Sequence, residues 1–300
     1  MKLIKLLTCF IILSSFNSNI EGQVVTRSYN SDDFTKMMKS QLMVVLIGDN
    51  EYDEGIRKAM ELYWKISSYE FITLNELKSN NKIVQDESKS FLMPFLVTVT
   101  FDFKPGTAGH KYDKVKSWLT IINGGKKKIS SYTDNDAICI APFNLYGDEA
   151  DFSKCAYRID YMVKGIHNAV ETVQSKKMSG NAIKMPMSVM DEINKKTSII
   201  KKKTLIVNKE SVNTFGKKVI NQKDFESHYT YKYKLVTSKE FKEILGSDNE
   251  EYVCLMPVSE VNKHVLIYEP STKETVYYGW AMQGLDVSKK DIKKIVETAK

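Results

Sequence analysis

The 300-residue chain lacks the residue patterns that mark an enzyme or a metal site. Its four histidines include no pair at a metal-binding spacing, and none of its four cysteines lies two residues from another, so no zinc site is expected. No Gly-x-Ser-x-Gly elbow and no glycine-rich phosphate loop occurs. We therefore expect no cofactor, no metal ion and no catalytic residue that a motif would reveal.

Cysteine is also too scarce for a disulfide framework. If Cys9 leaves with an N-terminal leader, Cys139, Cys155 and Cys254 remain, and an odd number does not define a set of bridges. Cys139 and Cys155 could close a short loop, which the sequence leaves open. Cys254 lies in an apolar strand-like segment, and we expect it to be a buried free thiol.

Long apolar runs are missing except near the start of the chain. Lys2 and Lys5 precede an apolar run over residues 6–16 and small residues over 18–22, a pattern that predicts a cleaved signal peptide over residues 1–22. That run is shorter than the roughly 20 residues needed to span a bilayer. We expect an exported protein, periplasmic or associated with the cell envelope, with no transmembrane segment in the mature chain.

Charge of one sign is not concentrated enough to indicate a nucleic-acid partner. The formal net charge is +7, and the dense lysine runs are confined to residues 126–128 and 201–203. Each run leads into a strand-like segment, where lysines commonly keep sheet edges and loops solvated. Contact of either run with phosphate or an anionic surface is the alternative.

The chain contains an internal echo. Residues 69–78 and 233–242 share Tyr, Thr, Glu and Lys at the same positions, and the apolar residues at 71, 72 and 77 are replaced by other apolar ones. The tripeptide Leu-Met-Pro follows each copy at nearly the same distance, at residues 92–94 and 255–257. This double match predicts a structural duplication, in which residues 264–268 match residues 118–122.

Hydrophobic periodicity gives each copy the order β-α-β-α-β-β. The predicted fold class is α/β (mixed α+β): two similar small mixed-sheet units with helices packed on one face and linking helices between them. The proline in each third strand predicts an edge or strand-start position. The resulting division is a signal peptide over 1–22, a first α/β unit over 23–150, linking helices over 151–200 and a second α/β unit over 201–300.

Weak chemical signals remain in three places. Asp49, Glu51 and Asp53 resemble a calcium loop, but the following spacing does not fit, which favours an acidic loop that leads into a helix. His110 and Asp113, in an extra loop of the first copy, form the best acid/base pair that the sequence offers. The aromatic residues at 277, 278 and 280 are the cluster most expected to face solvent and a partner.

The segments Tyr-Trp-Lys at residues 63–65 and Tyr-Glu-Phe at 69–71, with a signal ending near Gln23, resemble uncharacterised exported proteins of Bacteroidota-type bacteria. The unit order is similar to periplasmic α/β modules such as the N-terminal domain of TolB and the periplasmic domain of the curli secretion channel. The resemblance to those modules implies a role in assembly without an active site.

Two functions follow as hypotheses. The first is an exported, non-enzymatic envelope protein that binds or scaffolds a protein partner through the sheet edges or helix faces of its duplicated units. The second is an exported hydrolase-like enzyme with a site at the cleft between the units, near His110 or His167. A deep polar cleft would favour the enzyme, and a filled seam would count against it.

Overall fold

The computed structural model describes residues 25–26, 31–102, 111–142, 152–178, 184–209, 222–259, 263–281 and 287–300. Within these ranges the strands are β1 Val25–Thr26, β2 Gln41–Leu46, β3 Tyr69–Thr73, β4 Lys89–Asp102, β5 Lys111–Asn123, β6 Ala137–Pro142, β7 Thr204–Asn208, β8 Tyr233–Val236, β9 Tyr252–Ser259, β10 Lys263–Glu269 and β11 Glu274–Ala281. The helices are α1 Ser31–Lys39, α2 Asn50–Tyr63, α3 Leu74–Ser79, α4 Asn81–Gln85, α5 Ile159–Ser175, α6 Lys184–Asn194, α7 Gln222–His228, α8 Ser238–Gly246 and α9 Lys289–Thr298.

The strands form two mixed sheets with the same topology. The first sheet has the order β1-β6-β5-β4-β2-β3, and the second has the order β11-β10-β9-β7-β8. In each sheet the first long strand lies between two parallel neighbours, and the remaining strands form antiparallel hairpins. The α/β class and the two similar mixed-sheet units that the sequence predicted are therefore confirmed.

Strand register confirms the duplication residue by residue. Leu92 lies opposite Ile121 in the first sheet, and its counterpart Leu255 lies opposite Ile267 in the second. This register places residues 264–268 where 118–122 lie, as the sequence predicted. A break in register also follows Ile121 and Ile267, at the same place in both hairpins.

The local sequence that set this match also sets the start of a helix. The hydroxyl of Thr73 accepts a hydrogen bond from the backbone N–H of Glu76, whose carboxylate accepts from the N–H of Thr73. Thr237 and Glu240 form the same reciprocal capping box at the start of α8. Each box satisfies backbone donors that a helix start would otherwise leave unpaired.

Both prolines lie where the sheet can spare an N–H group. The pairing of β2 with β4 ends at Leu92, and that of β7 with β9 ends at Leu255. Pro94 and Pro257 come two residues later, where the strand is paired on its other side only. Each proline therefore lies at a local edge within an interior strand. An edge position was expected because proline has no backbone N–H to donate.

Helices cover both faces of each sheet, whereas the sequence predicted cover on one. Leu42 and Val44 pack with α1, α2 and α5, while Met43 and Val45 point to the opposite face and pack with α3 and α4. Successive residues of a strand alternate between faces, so a run of apolar residues needs cover on both. The second sheet follows suit, with α7 and α9 on one face and α8 on the other.

The first hairpin is much longer than the sequence suggested. The extra loop of the first copy was expected between Phe101 and Trp118, but β4 continues to Asp102 and β5 begins at Lys111, with backbone pairing along the whole length. Lysines recur through residues 111–116 and hide any apolar alternation there. This hairpin is where the two units differ most in length.

Helix α5 links the units and belongs to the core of the first. Its apolar residues pack on α2 and the first sheet: Ile159, Met162, Val163, Ile166, Ala169, Val170 and Val173. These residues form one apolar stripe along the helix. The remaining side of α5 is therefore free to meet the second sheet.

Truncation at the centre of this stripe tests its importance. Ile166 is fully buried, so Ile166→Ala should lower the free energy of unfolding by about 2–5 kcal/mol through lost burial and the cavity left behind. Leu62→Ala, at a side chain that is 51% exposed, is the matched control and should change it by less than about 0.5 kcal/mol. Urea unfolding followed by circular dichroism measures both, and equal values would contradict this role of α5.

Candidate binding surfaces

The seam between the two sheets is filled by α5. Tyr161 lies on the side of the helix that faces the second sheet, and its hydroxyl donates a 2.7 Å hydrogen bond to the carbonyl oxygen of Leu245. Its ring stacks at a tilt against Tyr268, with 4.6 Å between centroids. Burial raises the pKa of Tyr161 far above its ordinary value. Tyr161 therefore acts as a neutral donor that joins the units.

A group of charged residues lies along the same junction, and we call it the Asp160 cluster: Asp160, Lys164, Asp248, Lys273 and Glu274. The ammonium of Lys164 donates to the carbonyl of Thr272 at 2.5 Å and lies 3.6 Å from Glu274. The buried ammonium of Lys273 lies 3.1 Å from Asp248. The cluster thus ties α5 to the β10–β11 turn and to the end of α8.

Burial raises the pKa of Asp160 in this cluster. The nearby ammonium groups of Lys58 and Lys273 oppose the shift, while the carboxylate of Asp248 adds to it. A raised carboxyl pKa occurs at acid catalysts, but it also occurs in structural ion networks. Each lysine of the Asp160 cluster already has a carboxylate or carbonyl partner, which favours the structural role.

A groove opens beside α5 and α6, against β10 and β11. It encloses about 570 Å³ including its open mouth, and its walls come from both linking helices and from the second sheet. The lining carboxylate of Glu192 is bound by Lys176 and Lys195, and Lys196 is bound by Glu274. Tyr278 contacts His264 through its hydroxyl, 3.0 Å from Nδ1. The described lining of the groove offers hydroxyl and amide groups, and the imidazole that contacts the Tyr278 hydroxyl is fully buried.

The histidines do not meet at this groove. His167 faces away from it and packs edge-on against Trp64, with its Nδ1 3.5 Å from Glu171. His264 is fully buried on β10, and His228 ends α7. His110 lies outside the described residues, and Asp113 is placed only by its backbone on β5. The acid/base pair predicted in the first copy therefore stays a prediction.

The acidic loop before α2 is used by the protein itself. Asp49 caps the helix by accepting from the N–H of Tyr52, and Asp53 accepts from the N–H groups of Ile47 and Gly48. These contacts fit the acidic-loop interpretation that the sequence favoured. Over the described residues, no group of three or more His, Cys, Asp or Glu side chains could hold a metal ion.

The aromatic residues at the end of β11 are not a solvent-facing cluster. Tyr277 and Tyr278 are 1% and 2% exposed, and Trp280 is half-buried, so the predicted exposed cluster is wrong. Tyr277 packs so closely under Gly279 that a Cβ there would lie 2.6 Å from its hydroxyl oxygen. Glycine at this position leaves room for the ring of Tyr277, while Tyr278 is buried on the opposite face.

Three of the six lysines in the two runs bind other residues of the protein through their ammonium groups. Lys126 bonds Asp136, Lys203 bonds Glu269, and Lys201 donates to the carbonyl of Lys300. Solvated structural lysines are the interpretation that these contacts support. They leave less charge available for an anionic surface.

The two described cysteines are buried free thiols. Burial raises the pKa of Cys139 well above its usual range and that of Cys254 to about 12. Cys254 is thus the buried thiol that the sequence predicted. Cys139 forms no bridge to Cys155, whose side chain lies outside the described part.

Each sheet has one covered edge. In the first sheet Val25 of β1 pairs with Ile140 of β6. In the second sheet Tyr278 of β11 occupies the position equivalent to Ile140. Its backbone instead exchanges two hydrogen bonds with the side-chain amide of Asn194, at 2.8 and 3.0 Å. The end of α6 therefore does for β11 what a short strand does for β6.

The opposite edges, β3 and β8, are open in the part of the chain that the structure describes. They end their sheets, and neither has a further strand beside it. Glu70 and Lys234 are exposed at equivalent positions on these edges. Phe71 is half-buried under the guanidinium of Arg57, which lies 4.4 Å from its ring centroid. Such edges present backbone donors and acceptors to a partner.

Comparison of the chain with protein-family models, with curated proteins and with solved structures found no match. None of the helices in the described ranges is long and apolar enough to cross a membrane.

The pKa shift of Asp160 predicts a pH dependence. Because its pKa is raised in the folded state, its contribution to stability is present in acid and is lost as the pH rises past about 4, where the unfolded residue titrates. Asp160→Asn removes this loss, so the variant should gain stability on the wild type between about pH 3 and pH 7. Urea unfolding at both pH values measures the difference.

Asp136→Asn is the control with the opposite sign. Burial of Asp136 opposes its ionised form, but hydrogen bonds from Lys126 and Thr133 lower its pKa overall. Its stabilisation is present at neutral pH and is lost as the pH falls through the folded pKa, so this variant should lose stability relative to the wild type on the same change to pH 7. Parallel pH profiles for the two variants would refute the assignment.

Proposed function

We propose that the protein is an exported, non-enzymatic component of the cell envelope that binds or scaffolds a protein partner through the open edges of its two sheets. The observation that carries the proposal is the pair of equivalent open edges, β3 and β8, on two units of one topology. Strand addition to such an edge is a common way to bind a protein segment, because backbone hydrogen bonds supply affinity at any sequence.

The interior of the junction favours binding over catalysis. Tyr161, on the side of α5 that faces the second sheet, occupies the seam between the units, where the enzyme hypothesis expects a cleft. The groove beside α6 is open, and its charged residues are paired with one another. Function is thus better sought on the outer edges of the sheets than between them.

Export is part of the proposal and comes from the N-terminal sequence. Residues 1–22 have the charged, apolar and small-residue order of a signal peptide. Free thiols at Cys139 and Cys254 are compatible with an oxidising compartment. Both thiols are buried away from oxidants, and the two cysteines lie in different sheets. The resemblance to exported envelope proteins supports the same placement.

The second candidate function, a hydrolase-like enzyme, has one observation in its favour. The groove brings Tyr278, Asn168 and Thr172 together at the junction of the units, and such a concave site could take a small ligand. Its chemistry would need a nucleophile and a base from residues that the structure does not describe, such as His110.

Crosslinking in the native envelope tests the proposed function. Tagged protein should recover at least one enriched envelope protein in a fixed ratio, because an edge-binding scaffold holds its partner continuously. Mass spectrometry against an untagged strain identifies the partner, and fractionation of the cells reports the compartment. Recovery of no stoichiometric partner, or retention of the whole chain in the cytoplasm, would contradict the proposal.

A sharper version replaces the exposed edge charges. Glu70→Lys and Lys234→Glu should each reduce recovery of a partner that binds at the altered edge. Glu61→Lys and Lys239→Glu make the same charge changes on exposed helix positions and should leave recovery unchanged. Equal recovery from all four variants would place the binding surface elsewhere.

A further inference from the structure

We propose that the partner of each open edge is the opposite open edge of a second copy of this chain, so that β3 of one copy pairs antiparallel with β8 of the next. This inference rests on the proposed scaffolding function and names its partner. It follows from three features of the edges: the backbone groups they present, the faces on which their side chains lie, and the charges at their centres.

The backbone groups that face outward can be identified from the inner pairing. The carbonyl of Ser68 accepts from the N–H of Leu42, so alternate residues such as Glu70 point their backbone groups at β2. Tyr69 and Phe71 therefore point theirs outward. The corresponding bond in the second sheet, from the N–H of Leu205 to Lys232, leaves Tyr233 and Leu235 facing outward on β8.

These outward groups allow antiparallel pairing in a defined register. In such a ladder, two directly opposed residues exchange both hydrogen bonds, and the next pair along exchanges none. Placing Tyr69 opposite Leu235 and Phe71 opposite Tyr233 satisfies all four outward residues. The same register places Glu70 opposite Lys234, as a non-hydrogen-bonded pair, whose side chains come closest together.

The faces of the sheets match in this arrangement. Tyr69 and Phe71 pack toward the first core, while the neighbouring Glu70 lies on the other face. Tyr233 and Leu235 pack toward the equivalent second core, and Lys234 lies on the other face. A half-turn in the plane of the sheet brings β8 beside β3 with equivalent faces together. The half-buried aromatic and aliphatic residues then cover one another across the new ladder.

Charge selects this pairing over pairing between identical edges. Two β3 strands in the equivalent register would place Glu70 against Glu70, and two β8 strands would place Lys234 against Lys234. Like charges directly opposite one another destabilise a strand pair, and opposite charges stabilise it. The carboxylate of Glu240 interacts with both Lys234 and Lys209, and it also accepts the N–H of Thr237 in its own capping box.

Pairing of unlike edges does not close on itself in a dimer. Each copy carries one β3 edge and one β8 edge, so the contact is heterologous and continues head to tail into a ring or a filament. Every copy then has a place for one neighbour on each side. A scaffold of repeated units follows from the duplication within one chain.

Sedimentation of the purified protein tests the inference directly. The wild type should associate beyond the dimer as its concentration rises. Glu70→Lys and Lys234→Glu should each raise the apparent dissociation constant about five-fold or more, because each creates a like-charged pair. The double variant should return to the wild-type value. A wild type that stays monomeric, or single variants that associate normally, would overturn the proposal.

Mixing the two single variants separates a lost contact from a damaged fold. One variant carries lysine at both edge centres and the other carries glutamate at both, so each should fail alone. An equimolar mixture should associate as the wild type does, because every contact then joins opposite charges. If the mixture fails to associate while the spectra of both variants match the wild type, opposite charges do not select this pairing. The control variants Glu61→Lys and Lys239→Glu should associate normally.

Cysteine crosslinking checks the register. Opposed residues of a non-hydrogen-bonded pair lie about 4.5 Å apart at Cα, which suits a disulfide. In a Cys155→Ser background, Glu70→Cys and Lys234→Cys should form a disulfide dimer when mixed and none when alone. A dimer from either variant alone would show pairing of identical edges and overturn the proposal.

The two proposals can fail separately. Co-expression of two differently tagged copies in the native envelope reports self-association as recovery of the second tag. Recovery of another envelope protein without the second tag would retain the scaffolding function and reject self-pairing. Self-association without any other partner would retain the pairing and reject a scaffold for other proteins.

Discussion

Apolar contact between α5 and the first sheet is the interaction on which the rest of the structure depends. Fully burying one aliphatic side chain contributes about 1.5–3 kcal/mol, whereas a hydrogen bond such as that of Tyr161 contributes about 1 kcal/mol. The buried stripe of α5 therefore holds the helix to the first unit more strongly than polar contacts hold it to the second. The second sheet is placed by specific bonds, among them those of Lys164 and Asn194, and by the packing of Tyr161 and Met190 against it.

The duplication has been kept in the strands and changed at the junction. Capping boxes, prolines and the break after Ile121 and Ile267 recur at matching places in both units. The last strand of each sheet is covered differently, by β1 in one unit and by Asn194 in the other. A linker can replace a strand because a side-chain amide presents an N–H donor beside a carbonyl acceptor, as a strand backbone does.

Much of the fold could be predicted because its signals are local. The repeated segments around Tyr69 and Tyr233 predicted both a strand and the start of the helix after it. Their spacing to the Leu-Met-Pro segments predicted the register. The face of each helix could not be predicted, because central strands such as β2 are apolar on both sides. The long hairpin was missed because lysines mask its alternation, and the burial of Tyr278 was missed because α6 reaches it from outside its own unit.

The sequence predicted that sheet edges could bind a partner, but it did not identify which edges. The residue that distinguishes them, Glu70 in one copy and Lys234 in the other, is visible in the echo as a simple charge difference. Its meaning needs the strand order, which shows that both residues lie at the ends of sheets. Long-range pairing of this kind is what local periodicity cannot supply.

The position of α5 in the chain also sets an order of events in time. Strands β2 to β6 are complete before residue 143, yet the face that carries Leu42 and Val44 is covered in part by residues after 158. During synthesis, the first sheet keeps this apolar surface uncovered until α5 has been made. The protein is thus most vulnerable to aggregation, and most in need of a chaperone, in the interval between the synthesis of β6 and the synthesis of α5.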